Sequence, residues 1–348
     1  MKNLLRYLSP FAPDLAGAVS VLFVLDGLIV ICDAGGCTGN ICGFDEPRWF
    51  THKSALFSAG LRDMDAILGR DRELADKLID AAQTGKRNFL AMIGSPVPAV
   101  IATDFRALKS MCRKELSMPV MAVEASGTEY YETGASLAYM ELFKTLGREQ
   151  YTPIPGTVGV LGVTPLDYST LASEEIIRKH LPDCSDLRIY GINTTVEKVR
   201  RAAETEKNLV VSPAGLKAAQ YLQRTFKTPY EIAVPGICDS LELDKYDFNN
   251  RKILILHQVF AAEAVKNHIC KQFSTAEVKT GSFFNRFADS ADFKFGSESD
   301  LRECVENNRF DFIIADNAFA RVVKDIYCGK WIDFMHFAVS GRLLEGDV

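Results

Sequence analysis

Residues 31–49 read ICDAGGCTGNICGFDEPRW, and the fold and the chemistry of the chain are read outward from them. Three cysteines, Cys32, Cys37 and Cys42, recur at even spacing among Gly35, Gly36, Gly39 and Gly43. The apolar run 18–32 (AVSVLFVLDGLIVIC) leads straight in. A buried segment is thus expected to deliver a glycine-rich loop with three thiols near one place. Glycine permits positive φ and close approach of backbone to a bulky ligand. Thiolates are the usual ligands of iron–sulfur clusters. The CxxxxCxxxxC spacing is neither a zinc pattern nor the CxxCxxC run of small ferredoxins. From the residues alone, three incidental core cysteines remain the alternative.

The most apolar run, 16–32, is short of the ~20 apolar residues a membrane span needs and is broken by Asp26. It is expected to be buried core, ending in a strand at 27–32, with Asp26 a satisfied buried carboxylate or a helix cap. Before it, Asp14 is placed to cap a helix running through Val21. After the cysteines, 49–60 reads as a connector and 62–82 as an amphipathic helix. Strands follow at 89–93 and 119–123, with helices at 100–112 and 130–146. Strand–helix alternation implies a parallel sheet with crossover helices, whose ligands gather at the carboxyl ends of strands. The cysteine segment, Ser95 and Glu124 all fall at such ends.

The alternation repeats twice more. Residues 151–156 (YTPIPG) read as a linker. Strands at 157–163, 187–190, 208–211 and 230–234 alternate with helices at 169–181, 196–205 and 216–225. A third set comprises strands at 252–257, 278–280 and 310–315, with helices at 261–273 and 299–306. The tail 332–344 is expected to cover part of the first unit. The fold class is therefore α/β: three consecutive Rossmann-like units, each a mainly parallel sheet flanked by helices. The expected domains are 1–150, 151–248 and 249–348.

With 348 residues and 47% hydrophobic content, the chain can bury a large core, while a net charge of -5 offers no electrostatic footprint for nucleic acid or an anionic membrane surface. Nine cysteines with no secretory signal ahead of them suggest a reducing, cytoplasmic setting. The chain has no GxxxxGK[ST], so ATP hydrolysis is not expected of it, and TVGVLG at 157–162 is weak as a dinucleotide motif. The five histidines show no paired spacing. His257, at a strand end, is the one to watch, although a structural role is the plainer reading. Asp33 and Asp45 are the expected partners of Arg48.

These segments together resemble one family. DAGGC at 33–37, the stretch 54–82, IGSPVPAVIATDF at 93–105, NLVVSP at 208–213, TPYEIAVPG at 228–236 and FDFIIADNAFA at 310–320 resemble, in this order, motifs of the nitrogenase component 1 type oxidoreductases. That family contains nitrogenase subunits, cofactor-assembly scaffolds and related reductases. The resemblance implies a homodimer, or a heterodimer with a related subunit, with an iron–sulfur cluster near the interface. It also implies electrons from a separate ATP-hydrolysing iron protein. Cys37 matches a family cysteine. The other two family positions fall near 9–17, where there is no cysteine, and at Ser95.

The expected metal ligands are therefore Cys37 and Cys42, with Cys32 as a third whose side chain is liable to point back into the strand. Gly35, Gly36 and Ser95 are expected around the cluster, Ser95 as an oxygen ligand. Two thiols per chain would complete a [4Fe-4S] site on a two-fold axis, and three per chain would suffice for a larger double cluster. No iron–molybdenum cofactor is expected, because no residue matches its ligands. No catalytic residue is assigned, and a substrate pocket is expected where the three units meet. Two other functions fit the sequence: a scaffold for metal-cluster or cofactor assembly, and a solute-binding module with inert cysteines.

Overall fold

The structure is a computed structural model that describes residues 5–52, 54–284 and 290–344. The first residues of the expected first unit and the last residues of the third lie outside these. Three separate sheets form, every pairing parallel. The first holds β1 (Leu28–Ile31), β2 (Ala55–Ser58), β3 (Leu90–Ile93) and β4 (Val120–Val123) in the order β2-β1-β3-β4. The second holds β5 (Ile154–Leu161), β6 (Asp186–Ile189), β7 (Thr205–Val210) and β8 (Tyr230–Ile232) in the order β6-β5-β7-β8. The third holds β9 (Lys252–Leu256), β10 (Glu277–Ser282), β11 (Phe293–Lys294), β12 (Phe312–Ala315) and β13 (Lys330–Asp333) in the order β11-β10-β9-β12-β13. Three mainly parallel sheets flanked by helices are the expected α/β class.

In each sheet the winding reverses next to the first strand, between β1 and β3, β5 and β7, and β9 and β12. Such switch points open a crevice beyond the carboxyl ends. Several expectations are corrected. The single helix at 62–82 is two, Asp63–Leu68 and Asp71–Gln83, separated at Gly69 with φ +60°. The connector 49–60 contains β2, whose short ALFS run carried no period. The single helix at 100–112 is two, Pro96–Val100 and Phe105–Glu115, separated at Ala102 with φ +55°. The supposed linker already contains the start of β5. Asp26 is exposed at a left-handed turn (φ +53°) rather than buried.

The leading helix Asp14–Leu22 is entirely buried and lies against the helix Tyr131–Thr145. Their contact admits no side chain. A Cβ on Gly17 would sit 1.9 Å from the Tyr131 carbonyl oxygen, and one on Gly134 would sit 1.7 Å from the Asp14 carbonyl oxygen. The same helix start is fixed by Asp14, whose buried carboxylate accepts the N–H groups of Ser126 and Gly127, each at 2.8 Å.

Tyr131 carries this helix into the place where the three units meet. Its hydroxyl donates to Asp167 Oδ1 (2.8 Å) and lies within hydrogen-bond distance of His336 Nε2, 3.1 Å away. Thr164 donates to Asp167 Oδ2 (2.8 Å). His257 stacks on His336 with centroids 4.0 Å apart, and its Nε2–H donates to the Met335 carbonyl (3.2 Å). Both imidazoles are buried and neutral, and among the described residues neither Nδ1 has a hydrogen-bond partner. Burial drives the His257 pKa down to about 4 and the Asp167 pKa up to about 7. The tail contributes more than cover. Ala12 N–H donates to Ala338 O (2.8 Å), and Asp316 Oδ2 accepts from His336 N–H (2.9 Å) and Ser340 Oγ (2.6 Å). No helix among the described residues is long and apolar enough to cross a membrane.

Two outcomes follow from this packing. Gly17→Ala and Gly134→Ala should each lower stability by about 3 kcal/mol through backbone overlap, read as a fall in the urea midpoint at unchanged slope. Gly39, whose Cβ would meet nothing, should instead gain roughly 0.5–1 kcal/mol as alanine within its helix. Protonation supplies the second outcome. An unfolded histidine binds a proton below its ordinary 6.5 while native His257 does not until about 4, so its contribution is lost as pH falls through that window. Native Asp167 keeps its proton up to about 7 while the unfolded one loses it above 3.8, so its contribution is lost as pH rises. The two slopes, each about 1.4 kcal/mol per pH unit, oppose one another. Asp167→Asn should therefore steepen the loss of stability by about 2–3 kcal/mol between pH 6.5 and 4.5. Urea titrations that run parallel in the two proteins would contradict this.

Candidate metal centre

β1 delivers Cys32 and Asp33 to the switch point of the first sheet. Asp33 is buried, and its carboxylate accepts the Thr38 N–H (2.8 Å), the Thr38 hydroxyl (3.0 Å) and the Ser58 hydroxyl (2.6 Å). Gly35 follows at φ +118°, a conformation L side chains rarely adopt. These two features start a helix, Gly36–Asn40, that widens into a π-turn at Ile41–Asp45 and ends in the 3₁₀ turn Pro47–Phe50. The expected glycine-rich loop is therefore helical. Glycine disfavours helix, but a buried carboxylate on Thr38, the third residue of the helix, offsets that penalty by holding the first turn.

Cys37 and Cys42 both lie on this segment, half-buried and packed against the main core. Burial raises both thiols above their ordinary pKa, and nearby Asp33 adds to the effect at Cys37. Without a metal or another cation to stabilise thiolate, both are thiols at neutral pH. Cys32 lies apart from them. It is fully buried in a different apolar cluster, with Leu74, Leu78, Leu108 and Cys112, and burial pushes its pKa up to about 12. Its place is set by strand alternation: it continues the side of β1 that carries Leu28 and Val30 into that cluster.

Ser95 is likewise inside. Its hydroxyl donates to the Cys32 carbonyl (2.7 Å), joining the ends of β1 and β3. The second sheet repeats the device without any cysteine nearby in sequence: Ser212, also followed by proline, donates to the Gly162 carbonyl (2.8 Å) and joins β5 to β7. Ser95 is thus a strand-end clasp, and its hydroxyl proton is already engaged. The structure brings Cys37 and Cys42 onto one segment and leaves Cys32 and Ser95 off it.

Three glycines of the segment have no packing reason to be glycine. A Cβ on Gly36, Gly39 or Gly43 would meet nothing within 4 Å. Two large aromatics beside them face outward, Phe44 at 73% and Phe50 at 78% exposure. Among the described residues no three His, Cys, Asp or Glu side chains gather as a metal-binding set. A cleft of about 750 Å³ opens beside the segment, between Asn40, Gly43 and Asp45 on one side and residues 9–13, 127–130 and 337–341 on the others. The place where the three units meet, expected as a substrate pocket, is instead packed with the Tyr131, Asp167, His257 and His336 side chains.

The ion pair of the segment differs from the expected one. Arg48 pairs with buried Glu46, not with Asp33 or Asp45. Asp45 accepts from Asn40 Nδ2 (2.9 Å), and burial pushes its pKa up to about 6. Sequence reasoning missed Glu46 because EPR looks like an exposed turn. It missed His336 because its partners come from other units.

The sequence profile of the nitrogenase component 1 type oxidoreductases matches residues 13–237, well over half of the chain. Among curated protein sequences none is significantly similar. The structure superposes on nitrogenase Cp1 at pH 6.5 with a TM-score of 0.71, covering 95% of this chain and 87% of that one at 11% identity. For nitrogenase Cp1 at pH 5 the TM-score is 0.63, covering 97% of this chain and 78% of that one at 14% identity. At such identities these likenesses speak for the fold, and the profile match speaks for descent: the chain belongs to the nitrogenase component 1 type oxidoreductases.

Proposed function

We propose that this chain is a nitrogenase-like reductase component. In this reading it holds an iron–sulfur cluster through Cys37 and Cys42 at an interface between subunits and takes electrons from an ATP-hydrolysing iron protein. The single observation that carries it is two half-buried thiols on one short helical segment whose glycines leave open space beside them. Absent Cβ atoms at Gly36, Gly39 and Gly43 make room for a bulky inorganic group. Two thiols from each of two chains complete the four that a [4Fe-4S] cluster requires, and exposed Phe44 and Phe50 provide the apolar surface such a junction would cover. A bound cluster would supply one-electron transfer at low potential. The protein's part is to exclude water, with Phe44, Phe50 and the core behind the thiols, and to hold the segment in one place through Asp33. The adjoining 750 Å³ cleft is the natural entry for a small-molecule substrate.

Anaerobic purification with iron and sulfide analysis and an EPR spectrum tests the reading. Cys37→Ala and Cys42→Ala should lose most of the bound iron. Cys32→Ala should keep it, as should Cys184→Ala and Cys304→Ala, whose thiols lie elsewhere in the second and third units. Gly39→Ala should be at least as stable as the parent yet bind less iron. Full iron in the Cys37 variant, or a colourless, iron-free parent, would overturn the assignment. A cognate iron protein with ATP then separates a reductase from an assembly scaffold, since a scaffold would hand its cluster on without turnover.

A further inference from the structure

The cleft beside the cysteine segment has a one-sided chemistry: it offers acceptors and aromatic surface, and few donors. We propose that it takes a planar, unsaturated, positively charged molecule, of the kind an N-alkylated heteroaromatic ring represents, with Asp45 as its counter-ion and the Tyr130 ring against its face. The proposal rests on the reading of this cleft as the entry of a small-molecule substrate, and adds the class of substrate that fits there.

Size and walls come first. A volume of about 750 Å³ suits a molecule of a few fused rings, since small-molecule pockets run from about 300 to 1,000 Å³. Tyr130 stands on the wall opposite the segment and is 40% exposed. Its ring is braced by Phe11, with centroids 5.6 Å apart, and by Phe284, at 5.2 Å. Phe44 stands on the segment's own wall. Aromatic faces carry negative potential, so a braced ring in a partly dry cleft attracts a flat cation more than a flat anion.

The polar groups point the same way. Among the described residues two carboxylates line the cleft, Asp45 and Glu129, and no Lys, Arg or His does. Arg342, next to the lining residue Gly341, is committed to Asp333 by two bonds of 2.9 Å. Backbone donors on the walls are committed as well. Ala12 N–H donates to the Ala338 carbonyl, Gly127 N–H to Asp14 and Thr128 N–H to Ser126 Oγ. The N–H groups of Val339 and Ser340 donate to the His336 carbonyl, and that of Gly341 to the Phe337 carbonyl. An anion would give up its water there for little in return.

Asp45, where the π-turn ends, offers the opposite. Its Oδ2 accepts from Asn40 Nδ2 (2.9 Å), and its Oδ1 has no partner among the described residues. Burial raises its pKa, as it does for a carboxylate that no neighbouring cation offsets. A cation in the cleft would supply the missing charge.

Equilibrium dialysis of the anaerobically purified protein against three probes of one ring size reads the preference without a natural substrate. The probes are N-methylacridinium, a cation; acridone, neutral; and anthracenecarboxylate, an anion. The parent should bind N-methylacridinium about tenfold or more tighter than anthracenecarboxylate, with acridone between them. Asp45→Asn should weaken N-methylacridinium about tenfold and leave acridone within about twofold. Asp80→Asn makes the same change in net charge on an exposed helix position outside the cleft, and should leave all three affinities as they are. Tyr130→Leu keeps an apolar side chain but removes the ring, and should cost the cation about threefold and acridone less. An anion bound as tightly as the cation, or equal losses in Asp45→Asn and Asp80→Asn, would overturn the proposal. If Asp45→Asn fails to fold, the order of the three probes on the parent and the loss in Tyr130→Leu decide. Asp45-dependent binding in a protein that holds no iron would refute the metal reading and leave the preference of the cleft intact, whereas an iron-bearing protein with no charge preference would overturn this proposal alone.

Discussion

The backbone contact between the helices Asp14–Leu22 and Tyr131–Thr145 is the constraint on which most of this architecture depends. Two carbonyl oxygens occupy the space where Gly17 and Gly134 would carry side chains. That proximity fixes the leading helix, from which the chain runs through the Asp26 turn into β1 and so to the cysteine segment. It also fixes Tyr131, whose hydroxyl reaches Asp167 of the second unit and His336 of the tail. One close crossing therefore sets two things, where the thiol segment starts and how the three sheets meet.

How much of this was legible in the sequence depends on the range of the interaction. Apolar runs such as LIVI, LAMI and FIIA, each bounded by glycine, proline or a polar pair, declared buried parallel strands, because burial on both faces needs only local composition. β2 was hidden because a four-residue edge strand with two partly exposed positions has no distinguishing period. The helical state of the cysteine segment was hidden for another reason. Glycine content argued for a loop, and the group that overrides it, the Asp33 carboxylate on Thr38, acts through burial that composition does not reveal. The order of several degenerate motifs carried the family resemblance, and no one of them would have sufficed.

The candidate site was legible in part for the same physical reasons. The alternation of side chains along a strand already made Cys32 doubtful, since a residue continuing β1 must face one side of the sheet or the other. Its burial with Cys112 and the neighbouring leucines follows from that alternation. The role of Ser95 was not legible. A serine before proline at a strand end is chemically fit to ligate a metal and equally fit to clasp a neighbouring strand. Only the matching clasp at Ser212, in a sheet with no cysteine segment, separates the two.

The position of the thiols has a consequence for how the molecule divides its work. The switch points of the second and third sheets, with Thr164 and Ser212 in one and His257 and Asp316 in the other, lie around packed side chains in the interior. The switch point of the first sheet presents a glycine-lined helical segment outward beside a cleft. Buried polar groups at the interior junction satisfy one another in part and rigidify the frame, and the Nδ1 atoms of His257 and His336, without a partner among the described residues, mark where that satisfaction ends. A rigid frame behind an exposed segment is what the proposed two-chain site requires. On the proposed reading, Cys37 and Cys42 must be held still before a second pair arrives, because ordering them afterwards would draw on the binding free energy.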